Sequence, residues 1–360
     1  MRADELNQAR HGNWDGDNGD NSAANPQGDI VVGVDGSKES FAALRWALDE
    51  AGISGQSVNA VFGWATSWDM GAEPKTDEEW RLLRKQITDR LHEWVDTVYK
   101  AAPQQPSHID MTSVRATGTA ALLQIGANAQ QIVVGRRSLG RVMRWFSGST
   151  SRALTEESSV PVTVVRLHEP DERNVRADIA GALTPADTHS NSQPSQSGIT
   201  DSLVDAVAAR HTRSASTPSS STPTIVAGVD RSHASTRILQ FAATQALLHD
   251  VALHVIFCWQ VKELGVVPGY ERAVAPMDVN QRYAQRLVEE IVSHAGLDTN
   301  LIVHAHAFHT PAAKGLIDAS RYASQLILGS RGLTGLDAHF LGSVSSQVIS
   351  LAECTVTVVH

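Results

Sequence analysis

Near the end of the chain, Gly329-Ser330-Arg331-Gly332 is followed by nine residues and then by Gly342-Ser343-Val344-Ser345. Glycines let backbone N–H groups approach phosphate oxygens, and serine at a helix start adds a hydroxyl to the positive end of the helix dipole. A loose glycine-rich loop is a weak signal by itself. Upstream, Val34-Asp35-Gly36-Ser37 and Val229-Asp230-Arg231-Ser232 each offer a carboxylate that can accept hydrogen bonds from a ribose or a base edge. The same carboxylate could do no more than stabilise a helix N-terminus, and for an isolated aspartate the two readings weigh equally. What combines these residues into a cradle is their position just after strands, where ligands of a doubly wound sheet sit.

The elements that must position them come from an internal repeat. Ile30-Val-Val-Gly-Val-Asp35 returns as Ile225-Val-Ala-Gly-Val-Asp230 at an offset of 195. Gln131–Gly135, Gly148-Ser149 and Val162–Val165 return as Gln325–Gly329, Gly342-Ser343 and Val356–Val359, all at an offset of 194. Each half alternates short Val/Ile/Leu runs with longer helical periodicity, the pattern of parallel strands covered by helices on both faces. The fold class is therefore α/β, with a doubly wound five-stranded parallel-sheet domain present twice. In the first half the runs predict strands near 29–35, 57–63, 109–115, 131–135 and 161–166. Residues 80–98 predict a helix with Trp80, Leu83, Ile87, Leu91, Trp94 and Val98 on its buried stripe. Ser37 and Ser232 are expected as N-caps and Gly52 as a helix stop. Residues 1–28 read as a disordered tail and 168–222, rich in Ser, Thr and Pro, as a flexible linker. Within the linker, residues 201–210 could form a short amphipathic helix. The resulting domains are 29–167 and 223–360.

These residues resemble the universal stress protein family, whose nucleotide-binding members carry Gly-x-x-Gly, nine residues, then Gly followed by Ser or Thr. Gly329, Gly332, Gly342 and Ser343 match at every position, and the resemblance spans both halves. It implies a tandem member with an adenine nucleotide alpha hydrolase-like, Rossmann-like fold, dimer-like pairing of domains, and a role in stress survival without an established reaction. It implies ATP or AMP as ligand, with Mg2+ as a candidate companion. In the second half the base and ribose would lie against Val229, Asp230 and Cys258. The phosphates would lie on Gly329, Ser330, Arg331, Gly332, Gly342, Ser343 and Val344. The matching positions of the first half are Val34, Asp35, Gly63, Gly135, Arg136, Arg137, Ser138, Gly148, Ser149 and Thr150. Ser138 replaces the second loop glycine, which weakens that cradle if the position needs positive φ or close backbone approach. ATP is therefore expected to bind more tightly to the second half. Arg136, Arg137, Arg141 and Arg144 could offset the loss, where the second half has Asp337 and His339.

Other chemistries lack their residues. There is no Walker A sequence, no Gly-x-Gly-x-x-Gly after either first strand and no Ser-Gly-Gly-x-Asp-Ser loop. His304 and His306 share a strand face and His309 follows, but without a supporting carboxylate they do not define a zinc site. Cys258 and Cys354 lie in apolar runs and read as core packing. No catalytic or metal-binding residue is assigned. The alternatives to a regulatory nucleotide-binding module are a slow ATPase or autophosphorylating protein using Ser343 or Ser345, and a scaffold with vestigial sites.

The 360 residues suit two domains, and 30 Lys plus Arg against 39 Asp plus Glu leave a net charge of −9, which lacks the basic footprint of a nucleic-acid binder. No apolar run approaches the ~20 residues that span a bilayer, and the N-terminal segment has no signal-peptide core. A cytoplasmic protein without membrane or nucleic-acid partners is expected. The final strands of the two halves would each be a sheet edge, and unprotected edges tend to pair. They are expected to meet within one chain, which a linker of about 55 residues with a reach of about 40 Å permits. A homodimer remains a further option.

Overall fold

A computed structural model of the chain describes residues 30–65, 74–103, 106–136, 149–167, 223–332 and 341–360. The expected tail, the expected linker with its short helix, and Arg137, Ser138, Arg141, Arg144, Gly148, Asp337 and His339 lie outside these residues.

In the first half the apolar runs form β1 (Ile30–Gly33), β2 (Val58–Gly63), β3 (Ile109–Val114), β4 (Gln131–Arg136) and β5 (Val162–Arg166). Between them lie α1 (Lys38–Ser54), α2 (Asp77–Ala101), α3 (Gly118–Ile125) and α4 (Ser149–Glu157). The second half repeats the order with β6 (Ile225–Val229), α5 (Ala234–Leu248), β7 (Leu253–Trp259), a four-residue α6 (Val261–Leu264) and α7 (Met277–His294). It continues with β8 (Val303–His309), α8 (Ala312–Ala319), β9 (Gln325–Gly329), α9 (Ser343–Leu351) and β10 (Thr355–Val359). Both units are doubly wound.

Local chemistry explains most boundaries. Ser37 caps α1 by accepting from the Ser40 N–H at 3.2 Å. Thr76 and Glu79 form a reciprocal capping box at the start of α2. Three local expectations are corrected. Helix α1 runs through Gly52 and stops at Gly55, whose φ of 73° supplies the left-handed cap that returns its N–H to the Ala51 carbonyl. Ser232 is not the N-cap of α5; His233 holds that position without a side-chain cap, because Asp230 takes the Ser232 N–H and the Ser235 hydroxyl ties the turn to Asp230. On α2 the fully buried stripe is Ile87, Leu91 and Val95, whereas Trp80 and Leu83 are only half-buried. Trp80 instead carries the Arg115 guanidinium 4.1 Å above its ring.

The ten strands make one sheet in the order β3-β2-β1-β4-β5-β10-β9-β6-β7-β8. All neighbours are parallel except β5 and β10, which pair antiparallel with Thr163 opposite Thr357 and Val162 opposite Val358. The two final strands thus meet within the chain. At the meeting point Gln325 Nε2 donates to Thr357 Oγ1 and Thr163 Oγ1 donates to Gln131 Oε1, each at 2.9 Å. Because Thr163 has spent its only proton, the 2.9 Å contact between the two hydroxyls has Thr357 as donor. The result is one directed chain of four buried side chains across a pseudo-twofold axis.

The helices α3, α4, α8 and α9 cover one sheet face over a core that is continuous across the halves, from Val31 and Leu122 to Leu316 and Val348. On the other face α1 with α2, and α5 with α7, build separate cores. There the halves touch through His249 Nε2, 3.0 Å from the buried Glu50 Oε2. Strand β5 ends and β6 begins on the same edge, three spacings of about 4.8 Å apart, roughly 14 Å. The intervening segment is far longer than this crossing needs.

Thr163→Val strips two buried groups of a partner and is expected to cost about 1–3 kcal/mol in urea unfolding. The double variant Thr163→Val/Thr357→Val should cost less than the two single losses summed, since their shared hydrogen bond is lost once.

Candidate functional site

Where strand order reverses, between β1 and β4, the carboxyl ends of the strands of the first half diverge around a cleft of about 170 Å³. Val34 and Asp35 from the end of β1, Gly63 from β2 and Gly135 from β4 line it, as the sequence predicts. Ser37, expected as an N-cap, also lines it, together with Ser40, Phe62, Gly118, Leu122 and Ser151, which were not singled out in the sequence. Ser40 alone carried a signal, three residues after an N-cap. Its backbone N–H meets the Ser37 hydroxyl and its own hydroxyl accepts the Asp35 N–H at 3.3 Å. Asp35 Oδ1 accepts the Ser37 N–H at 3.0 Å, so one carboxylate oxygen organises the turn at the cleft rim.

Glycine shapes this cleft through close approach. A Cβ at Gly135 would overlap the Glu39 carbonyl in the first turn of α1. At Gly63 it would come 2.7 Å from the Gly118 Cα at the start of α3. Gly36 needs its positive φ of 82° and lies against the Trp94 indole. Ser149 and Thr150 open α4, and Gly148 before them lies outside the described residues.

Arg136 corrects the expectation that it faces a phosphate. Its Nη1 donates at 2.9 Å to both the Ile349 and Ala352 carbonyls at the C-terminus of α9, in the other half. Burial, with Arg166 beside it, lowers its pKa to about 10. The guanidinium serves a helix end whose carbonyls lack intrahelical partners.

In the second half, Val229 ends β6 and Asp230 follows it, while Gly329 ends β9 and Ser330, Arg331 and Gly332 lead away from it beside the start of α9. Gly342 is the N-cap and donates to the Ser330 carbonyl at 2.7 Å. Ser343 is exposed, Val344 half-buried, and Ser345 buried with its hydroxyl donating to the Gly329 carbonyl at 2.7 Å. Gly332 does not need positive φ. A Cβ there would stand 2.8 Å from Asp230 Oδ2, so a side chain at this position would displace the carboxylate. Asp230 Oδ1 accepts the Ser232 N–H at 2.8 Å, as Asp35 does for Ser37.

Cys258 occupies the place of Gly63 but turns its thiol towards α8, where a Cβ at Gly315 would lie 2.5 Å from Sγ. Burial, and then Glu263, push this thiol up to about 12. On β7 and β8, His254 stands opposite His304, with ring centroids 5.2 Å apart and His306 6.2 Å from His254. His309 leaves that set and packs on Trp259 at 4.5 Å. Among the described residues no three His, Cys, Asp or Glu side chains are placed to hold a metal ion, so Mg2+ has no protein ligand set assigned. Among them, too, no helix is long and apolar enough to cross a membrane.

A doubly wound five-stranded unit present twice, with a cleft at the strand switch of the first, defines a tandem α/β protein. The profile of the Universal stress protein family matches residues 28–166 and again 222–360, and the chain belongs to that family. A universal stress protein of Mycolicibacterium smegmatis is 27% identical over 341 residues, covering 92% of this chain and 96% of that one. One from Mycobacterium tuberculosis is 24% identical over 337 residues, 91% and 96% of the two chains. The crystal structure of a universal stress protein from Archaeoglobus fulgidus superposes with a TM-score of 0.57 at 15% identity, over 93% of this chain and 98% of that one. It shares the fold.

Gly135→Ala forces β4 away from α1 and is expected to lower stability by about 1–3 kcal/mol, read in urea unfolding. Cys258 should resist maleimide at pH 8 in the folded protein and react once unfolded, because a thiol at about 12 is protonated and shielded.

Proposed function

We propose that this universal stress protein is an adenine-nucleotide-binding regulatory module of the cytoplasm, taking ATP or AMP at the carboxyl ends of the strands in both halves. The observation that carries the reading is the cleft in which Asp35, Gly63 and Gly135 come together from three strands. Its 170 Å³ is below the roughly 300–1,000 Å³ of drug-sized sites, which suits a base and part of a ribose with phosphates reaching outward past Gly135. Asp35 is exposed at the rim, with a carboxylate suited to ribose hydroxyls.

Binding is favoured over phosphoryl transfer. Ser345 is buried and spends its proton on the Gly329 carbonyl, which leaves Ser343 as the exposed hydroxyl at the helix start. No general base or metal set beside it has been identified among the described residues.

The second half is the tighter site in this reading. It keeps both loop glycines, and Arg136, which could have compensated the first half, is engaged on α9.

Native mass spectrometry of the gently purified chain should show co-purified adenine nucleotide. By calorimetry, Gly332→Ser should weaken ATP binding to the second half by about tenfold, the equivalent of roughly 1.4 kcal/mol. A chain that carries no nucleotide and gives no heat with ATP or AMP at millimolar concentration would sink the reading.

A further inference from the structure

The antiparallel junction puts the carboxyl ends of the two half-sheets on opposite edges. The C-terminus of α9 therefore reaches the edge that bears the cleft of the first half, while its N-terminus sits at the loop of the second. Both ends are fastened. At the N-terminal end Gly342 N–H bonds the Ser330 carbonyl at 2.7 Å, and the Ser345 hydroxyl bonds the Gly329 carbonyl at 2.7 Å. At the C-terminal end stands Arg136, which directly follows the cleft residue Gly135, with Arg166 3.4 Å from the same Ala352 carbonyl.

The helix has nine residues, about 14 Å, too short to bend appreciably. A group that fixes one end therefore also sets the other. The pseudo-equivalent of Arg136 is Ser330, whose side chain is too short to make the same reach, so this device belongs to the first half.

We propose that Arg136 is a positioning residue for the nucleotide cradle of the second half. From the other half of the protein it holds α9 so that Gly342, Ser343 and Ser345 face the Gly329–Gly332 loop. It does not touch the ligand of the second half. It also joins the two sites physically, because displacement of the β4 tip at the first cleft is passed to α9. The ligand part of this inference rests on the nucleotide reading above.

The test uses the full chain carrying Asp35→Ala, so that calorimetry with ATP reports the second half. Adding Arg136→Ala is expected to weaken that binding roughly three- to tenfold, and Arg136→Gln, which keeps a donor but loses the charge, to weaken it less. Hydrogen exchange on the ligand-free protein supplies the second readout. The Gly342 and Ser346 amides, bonded to the Ser330 and Gly342 carbonyls, should exchange faster in Arg136→Ala. A merely local cap would quicken only the amides near Ile349. Unchanged exchange at Gly342 and Ser346, or unchanged ATP affinity, overturns the proposal. If the Asp35→Ala chain gives no heat with ATP, the nucleotide reading of the second half fails, and the exchange rates at Gly342 and Ser346 alone still decide whether Arg136 positions the loop. Should Arg136→Ala unfold, Arg136→Gln carries the decision, and wild-type exchange at those two amides overturns the proposal.

Discussion

The antiparallel contact between β5 and β10 is the constraint on which the rest of the molecule depends. Each half ends in a strand whose outer row of N–H and C=O groups would otherwise face water or another chain. Pairing these edges makes ten strands continuous and merges the cores on one face. The seam is polar at its centre. Four side chains, Gln325, Thr357, Thr163 and Gln131, are buried there, and each hydroxyl finds one donor and one acceptor. Buried polar groups are costly unless satisfied, so this chain of hydrogen bonds also specifies register. A slip of one residue would direct the threonines to the other face.

Reversing strand direction at the seam puts the carboxyl ends of the two half-sheets on opposite edges and brings the C-terminus of α9 to the strand tips of the first half. Arg136 exists in this second relationship. It is close in sequence to the cleft of its own half, yet its hydrogen bonds end on a helix 213 and 216 positions away. The repeat is thus symmetric in its backbone and unequal in its chemistry. Gly63 lets the start of α3 approach so closely that a Cβ would meet Gly118, whereas Cys258 sets its sulfur against Gly315; Arg136 crosses the seam, and Ser330 instead accepts the Gly342 N–H within its own half.

The glycines at the strand ends follow from the same geometry. Strands and helices approach most closely where the first helix turn crosses the tip of a neighbouring strand. Gly135 lies against the Glu39 backbone carbonyl and Gly63 against the Gly118 backbone, so the absence of a side chain is required there by space. Left-handed conformation is required elsewhere, at Gly36 and Gly55.

The sequence by itself determined the duplication, the α/β class and the strand positions to within a residue or two, because a parallel strand buried on both faces must be almost continuously apolar over a short run. It also indicated Asp35 as a cleft residue from its place just after a strand, while Gly63 and Gly135 came from the resemblance to the universal stress protein family. Helix ends were less legible: Gly52 and Gly55 are both plausible stops in one dimension, and only the geometry of the last turn selects Gly55. Tertiary structure alone decided the partner of Arg136, the direction of the Cys258 thiol, and the replacement of His309 by His254 beside His304 and His306. These depend on contacts between elements distant in the chain. A side chain's type states what bonds it can make, but which carbonyl, ring or cavity meets it is set by how the two halves are joined.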